Sequence, residues 1–251
     1  MITKIRSAAQ IAFLVAVAFS ATPAFALHGE PGGVGCDAIP HTACGGAGSP
    51  CLFADLSAAL SGALGGNGGL GNDMWGTIVD RDGIVCAVAF SGGSRGDQWP
   101  GSRVISAQKA NTANAFSLPP GAGGIPGLAL STANLYSAVQ PGGSLFGLQE
   151  SNPVNFTDAY AGSAATWGTA GDPLVTKKVG GVNVFGGGLA LYTAGGPLVG
   201  GIGVSGDTSC TDHIVAWKAR FALNLDNVIA GVAAGTDNII FDIVGSKGMA
   251  S

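Results

Sequence analysis

Charge is scarce in this chain of 251 residues: 10% of positions are Asp, Glu, Lys or Arg, with 11 basic against 15 acidic side chains. The net charge of −4 and the lack of any Lys/Arg cluster argue against a nucleic-acid partner, because phosphate binding needs clustered cations. Apolar runs are also short. None reaches the ~20 residues needed to cross a bilayer, so no transmembrane segment is expected once the N-terminal leader is removed. There is no internal repeat.

Glycine and export signals are what the chain has. Lys4 and Arg6 precede an apolar run from Ile11 to Ala21, and Ala24-Phe25-Ala26 forms an A-x-A cleavage site, so residues 1–26 read as a secretory signal peptide. The mature protein is then expected to start at Leu27, with 225 of the 251 residues, in the periplasm or outside the cell. A positive mean hydropathy combined with so few charges suggests a homo-oligomer that buries apolar surface between subunits. With 44 glycines the fold must rely on tight turns and close backbone contact.

Five cysteines remain after cleavage. Cys36, Cys44 and Cys51 lie in a Gly/Pro-rich lead segment, residues 27–52, where a disulfide would replace a missing core. Cys86 sits within an apolar strand and reads as a small core residue, and Cys210 stands near a helix start. Spacing leaves the pairing open. The pattern Cys36-x4-His41-x2-Cys44-x6-Cys51 does not match the common structural-zinc spacings, and export favours disulfides.

Past the lead segment, Phe53, Leu56, Leu60 and Leu64 mark an amphipathic helix that the glycines of 65–71 terminate. Two apolar runs, 74–79 and 84–90, flank Asp80-Arg81-Asp82-Gly83, a hairpin signal. Pro100 opens a helix with Val104, Ala107, Ala110, Ala113 and Phe116 on one face. Residues 119–188 read as a Gly/Pro-rich insertion of short helices and ordered loops, anchored by aromatics and covering a site or a subunit interface. A second hairpin follows, with strands at 189–192 and 197–204 around Gly195-Gly196, the dipeptide that favours a tight two-residue turn with positive φ. Asp207, Ser209 and Asp212 then cap a helix whose apolar face is Ile214, Trp217, Phe221 and Leu225. The main domain is set at 53–235 and a tail at 236–251, where Ile239, Ile240, Phe241 and Ile243 suggest one more strand.

Two catalytic-looking motifs fail on context. Gly92-Gly93-Ser94-Arg95-Gly96 fits G-x-S-x-G, but a nucleophile elbow leads straight into a helix and here residues 97–100 intervene. Gly201 to Gly206 fits G-x-G-x-x-G, yet it follows a hairpin, an antiparallel device, instead of opening a βαβ series. Its glycines read as strand and turn residues.

Three blocks together resemble the GlcG/HbpS-like haem-binding family, which also includes the C-terminal domain of PduO-type proteins. Val79-Asp80-Arg81-Asp82-Gly83 looks like the family's V-D-x-x-G hairpin. Ser102 with Lys109-Ala110-x-Thr112-Ala113-x-x-Phe116 is similar to its helix. The stretch 200–206, G-G-I-G-V-S-G, followed by Asp212 and Val215-Ala216, is similar to its last strand and helix start. The segment 90–97 departs from the family pattern, and the Cys-bearing lead and the insertion are extra to it. The resemblance implies an α+β fold with an antiparallel sheet of about five strands flanked by helices. It also implies a homo-oligomer and noncovalent binding of haem or a related tetrapyrrole, for capture, storage or sensing. Haem degradation, action on another small molecule in the same pocket and a ligand-free structural oligomer are the alternatives.

No fixed ligand motif can be transferred from the family, so the candidates come from residue chemistry. The lack of a C-x-x-C-H motif excludes ordinary covalent haem attachment. His213, at a helix start, and His41 are the candidate iron ligands, while His28 lies next to the new N-terminus. Arg103 and Lys109, six residues apart on one helix, are the candidate partners for a haem carboxylate. Arg81, Arg95, Lys218 and Arg220 read as solvated.

Overall fold

Four short apolar segments pair into one sheet. The computed structural model describes residues 36–40, 49–232 and 235–239. Its strands are β1 (Trp75–Asp80), β2 (Val85–Phe90), β3 (Gly188–Tyr192) and β4 (Leu198–Ser205), in the order β2-β1-β4-β3 with every neighbouring pair antiparallel. The fold is α+β, and the described residues hold four strands where about five were implied. Ile239 lies outside any strand, and the rest of the expected tail strand, like the signal peptide, His28, His41 and Cys44, falls outside the described residues.

Both hairpins follow their turn chemistry. At the first, Gly83 has φ 75° and donates to the Asp80 carbonyl at 3.0 Å, while Asp80 Oδ1 accepts from the N–H groups of Asp82 and Ile84 at 2.9 Å each. At the second, Gly195 and Gly196 take positive φ as expected, but the connection spans residues 193–197, not two residues. Pro197 has no N–H to extend the ladder, so the loop closes instead through Thr193 N–H to the Pro197 carbonyl at 3.0 Å.

Helices cover both faces. Helix α2 (Ser102–Phe116) lies on one, while α1 (Ser49–Gly62) and α4 (Ser209–Ala222) share the other. Leu52, Leu56 and Leu60 of α1 and Val215, Ala216 and Ala219 of α4 form a core with Ile78, Leu189, Leu191 and Ile202. On the α2 side, Val104, Ala107 and Ala110 meet Val79, Val85 and Val88. Here β4 supplies Gly201 and Gly203. A Cβ at Gly203 would lie 1.9 Å from the Ser106 carbonyl oxygen, and one at Gly201 would lie 2.4 Å from that of Ala110. The dinucleotide-like glycines are therefore a flat floor on which helix backbone rests directly on strand backbone.

Helix α4 differs from expectation. Its large apolar stripe points outward, with Ile214 37%, Trp217 44% and Phe221 69% exposed, and only Leu225, beyond the helix end, is buried. The inward stripe is the small set Val215, Ala216 and Ala219, which allows closer approach to the sheet than the larger side chains would.

Residues 119–188 contain the short helix α3 (Phe156–Ala159) and several 3₁₀ turns, the short helices and ordered loops expected of this segment. It flanks β2, where Val85 N–H donates to the Lys177 carbonyl and Thr176 N–H to that of Val85, both at 2.8 Å. These bonds protect an otherwise open sheet edge. Cys86 is a buried core residue and is also bonded to Cys36, with Cα atoms 5.4 Å apart, so the lead segment is tied to β2. Cys210 is an exposed free thiol.

Replacing Gly203 by Ala is expected to lower stability by about 2–3 kcal/mol, because its Cβ meets backbone, which cannot rotate away. Urea denaturation followed by circular dichroism measures the loss. The exposed Gly93, where a Cβ meets nothing closer than 4.0 Å, serves as the control and should tolerate Ala.

Candidate functional site

Several of the few charges in this chain lie inside it. Lys109, from the middle of α2, and Asp212, in the first turn of α4, are both buried and meet at 2.7 Å beyond the end of β4. Lys109 Nζ also donates to the Val204 carbonyl at 3.0 Å. Asp212 Oδ1 accepts from the N–H groups of Gly206 at 3.1 Å and Asp207 at 2.8 Å. Asp212 therefore anchors the loop before α4 and an ammonium group from across the sheet; it does not cap the helix as expected, since the N-cap position is Thr208 and no side chain bonds the free N–H groups there. Burial lowers the Lys109 pKa and raises that of Asp212, and each partner's charge opposes the shift of the other.

Gly187 makes room for this pair, since a Cβ there would lie 2.3 Å from the Val204 oxygen and 3.2 Å from Lys109 Nζ.

Arg103 turns the other way. Its Nε donates to Asp172 at 3.0 Å and its Nη2 also bonds that carboxylate, Nη1 donates to the Ala159 carbonyl at 3.0 Å, and the guanidinium lies 4.3 Å over the Trp167 ring. Every one of these partners belongs to the insertion. Arg103 and Lys109 do not converge on one pocket, and each is already matched by a buried carboxylate.

Arg220 of α4 is buried, not solvated as its sequence context suggested. It donates to Asp237 at 2.5 Å and the Ala190 carbonyl at 3.0 Å, and it pairs with Asp226 at 2.6 Å. Burial works against its charge, but Asp237 and Asp226 outweigh that effect. Nothing in local sequence indicates this cluster, because its acids come from the segments after the helix.

His213 follows Asp212 in α4 and is 5% exposed. Neither ring nitrogen has a hydrogen-bond partner. Burial pushes its pKa down to about 4, with Arg220 and Lys109 adding to the effect and Asp237 opposing it. The imidazole is neutral at pH 7 and keeps an uncommitted lone pair. One helical turn further on, Trp217 lines a cleft of about 250 Å³ together with Arg220, Asp226, Val228 and Asp237. A larger cavity of about 570 Å³ lies between Pro40, α1 and the end of α4, but Asp55 is the single ionisable residue on its wall.

The remaining motif stays inert. Ser94 lies in an exposed turn closed by Asp97, whose carboxylate accepts from Ser94 N–H at 2.7 Å, and α2 begins only at Ser102.

Two stability tests follow from these buried groups. Lys109→Met strands the Asp212 carboxylate in a dry site and should cost about 3–5 kcal/mol, while adding Asp212→Asn should recover a large part, as read from urea midpoints. For His213 the folded pKa, about 4, is below the ordinary 6.5, so the folded state binds the proton less readily. Its contribution is full above about pH 6.5 and is lost as pH falls towards about 4, a swing of about 3 kcal/mol. His213→Phe should flatten this part of the pH profile of stability.

No curated protein matches the sequence. Among solved structures, the chain is similar to a PduOC–haem complex at 24% identity, with 68% of this chain and 91% of that chain covered and a TM-score of 0.46. It is similar to protein ORFY of Klebsiella pneumoniae at 23% identity, covering 68% and 86% with a TM-score of 0.44. HbpS follows at 18% identity, 68% and 86% coverage and a TM-score of 0.41. Residues 69–220, more than half of the chain, match the family model described as haem degrading protein HbpS-like, and the chain belongs to this family.

Proposed function

We propose that the protein binds haem noncovalently outside the cytoplasm, with the His213 imidazole as the iron ligand. The observation that carries this reading is the buried, neutral imidazole with both nitrogens unpartnered, in a chain whose family is described by haem degradation. A neutral imidazole is the form that ligates iron. Beside it, the outward stripe of Ile214, Trp217 and Phe221 offers the kind of apolar surface that a flat tetrapyrrole covers. The residues supply a nitrogen donor and an apolar face for the group, and the ring nitrogens, buried in this structure, have to be uncovered for iron to reach them. Bound haem would supply an iron centre capable of one-electron redox change.

In this reading His213 holds the iron and Trp217 with Phe221 excludes water from the ring. Arg103 and Lys109 hold the insertion and α4 in place instead of reaching the ligand. As partners for a haem carboxylate, either would have to leave its own acid. His41, in the lead segment, is the alternative ligand. An exported protein is supported by the signal-like N-terminus and by the Cys36–Cys86 bridge, which suits an oxidising compartment. Self-association is supported by the low charge and by the same α4 stripe, which a second copy would cover together with the ligand. The family description favours haem degradation as the second reading.

Titration of the purified protein with haemin should give a saturable Soret shift, and His213→Ala should weaken binding at least about tenfold and move the band. An unchanged band in that variant would transfer the role to His41. The absence of any saturable shift in the native protein would overturn the reading. Loss of the Soret band with release of iron, on adding a reductant and oxygen, would establish degradation.

A further inference from the structure

A second chemical group of residues lies away from this cleft, at the β1–β2 hairpin. The Cys36–Cys86 disulfide joins the lead segment to β2, with Cys36 partly buried at the edge of the core and Cys86 wholly buried within it. One carboxylate oxygen of Asp80 and the two sulfurs all lie within 4.8 Å of one another. Asp80 is itself wholly buried. Its Oδ1 accepts two backbone bonds in the turn, but its Oδ2 has no hydrogen-bond partner. An unpaired buried polar atom is costly, and here the carboxyl group that carries one lies within 4.8 Å of both sulfurs of a disulfide.

We propose that the Cys36–Cys86 bridge is a thiol-exchange site in which the Asp80 carboxyl protonates Cys86 as it leaves. A thiolate of a small dithiol attacks Cys36 Sγ, the sulfur of the less buried partner. A bond forms between the reagent and Cys36, the Cys36–Cys86 bond breaks, and its electron pair passes to Cys86 Sγ. A thiolate released into the apolar core would be poorly solvated, and departure is easier with a proton donor at hand. Asp80 gives up its proton, leaving Cys86 as a thiol and Asp80 as a carboxylate held by its two N–H donors. The reagent's second thiol, as thiolate, then displaces Cys36, which takes a proton from water. The dithiol ends as a cyclic disulfide and the protein bridge is reduced.

Burial raises the Asp80 pKa against the pull of the turn N–H groups, which favours the proton-donating form. Among the surrounding charges, Asp82 raises it further and Lys178 lowers it. Arg81 donates to the carbonyl and side chain of Asn114, and Asp37 of the lead turn is exposed. Reduction would untie Cys36 from the sheet, and with it Ile39, which is wholly buried in the core, and Pro40, which walls the larger cavity.

The experiment reduces the folded, full-length protein with dithiothreitol from about pH 5 to about pH 9 and follows the Cys86 peptide by thiol labelling and mass spectrometry. Each rate constant is divided by the thiolate fraction of the reagent. The normalised constant is expected to fall at least about tenfold as pH rises in the native protein. Asp80→Asn, which keeps an oxygen for the turn bonds, should react slowly with no such fall, and Asp80→Glu should restore the pH dependence. A flat profile in the native protein overturns the proposal whether or not the variants fold. So does a folded Asp80→Asn that keeps the native profile.

Discussion

Everything in this molecule depends on the direct contact between helix α2 and strand β4. Gly201 and Gly203 present no side chains to the helix, so the carbonyls of Ser106 and Ala110 come to rest where Cβ atoms would otherwise stand. A contact of that kind is fixed within a fraction of an ångström. It sets the height of α2 above the sheet, and therefore decides that Lys109 can reach past the end of β4 to Asp212 on the opposite layer.

Scarcity of charge gives the remaining charges unusual weight. Arg103, Lys109 and Arg220 are buried, and each is matched by one or two carboxylates from outside its own helix: Asp172 for Arg103, Asp212 of α4 for Lys109, and Asp226 with Asp237 after α4 for Arg220. Buried pairs add little net stability over apolar packing, but breaking one is expensive. Their effect is to dictate which segments belong together. Arg103 holds the insertion against α2, Lys109 joins the two layers, and Arg220 draws the chain after α4 back against it.

The candidate ligand follows from the same framework. Asp212 is fixed by Lys109 and by two loop N–H groups, and His213 is its neighbour on the helix, so the imidazole is held in a dry position whose own polar atoms are left over. Rotation of α4 about its axis is decided by the Asp212 anchor and by the small inward residues. That rotation leaves Trp217 and Phe221 facing out, beside a cleft that already contains Arg220.

Local chemistry alone determined a good deal. The Asp80–Gly83 turn, the glycine pair before Pro197, the small-residue face of α2 and the three motif blocks could be read because each depends on neighbours within a few residues. His213 was also visible as a candidate, from its residue type. Tertiary structure decided the rest. A helix with apolar residues on two faces does not say which one turns inward, and the α4 stripe was assigned by packing and by the Asp212 anchor. Buried or solvated, an arginine has the same local sequence, so the roles of Arg103 and Arg220 depended on carboxylates up to 69 residues away. The pairing of Cys86 with Cys36, and the placing of Asp80 beside them, likewise required segments 50 residues apart to meet, and sequence spacing carries no information about that distance.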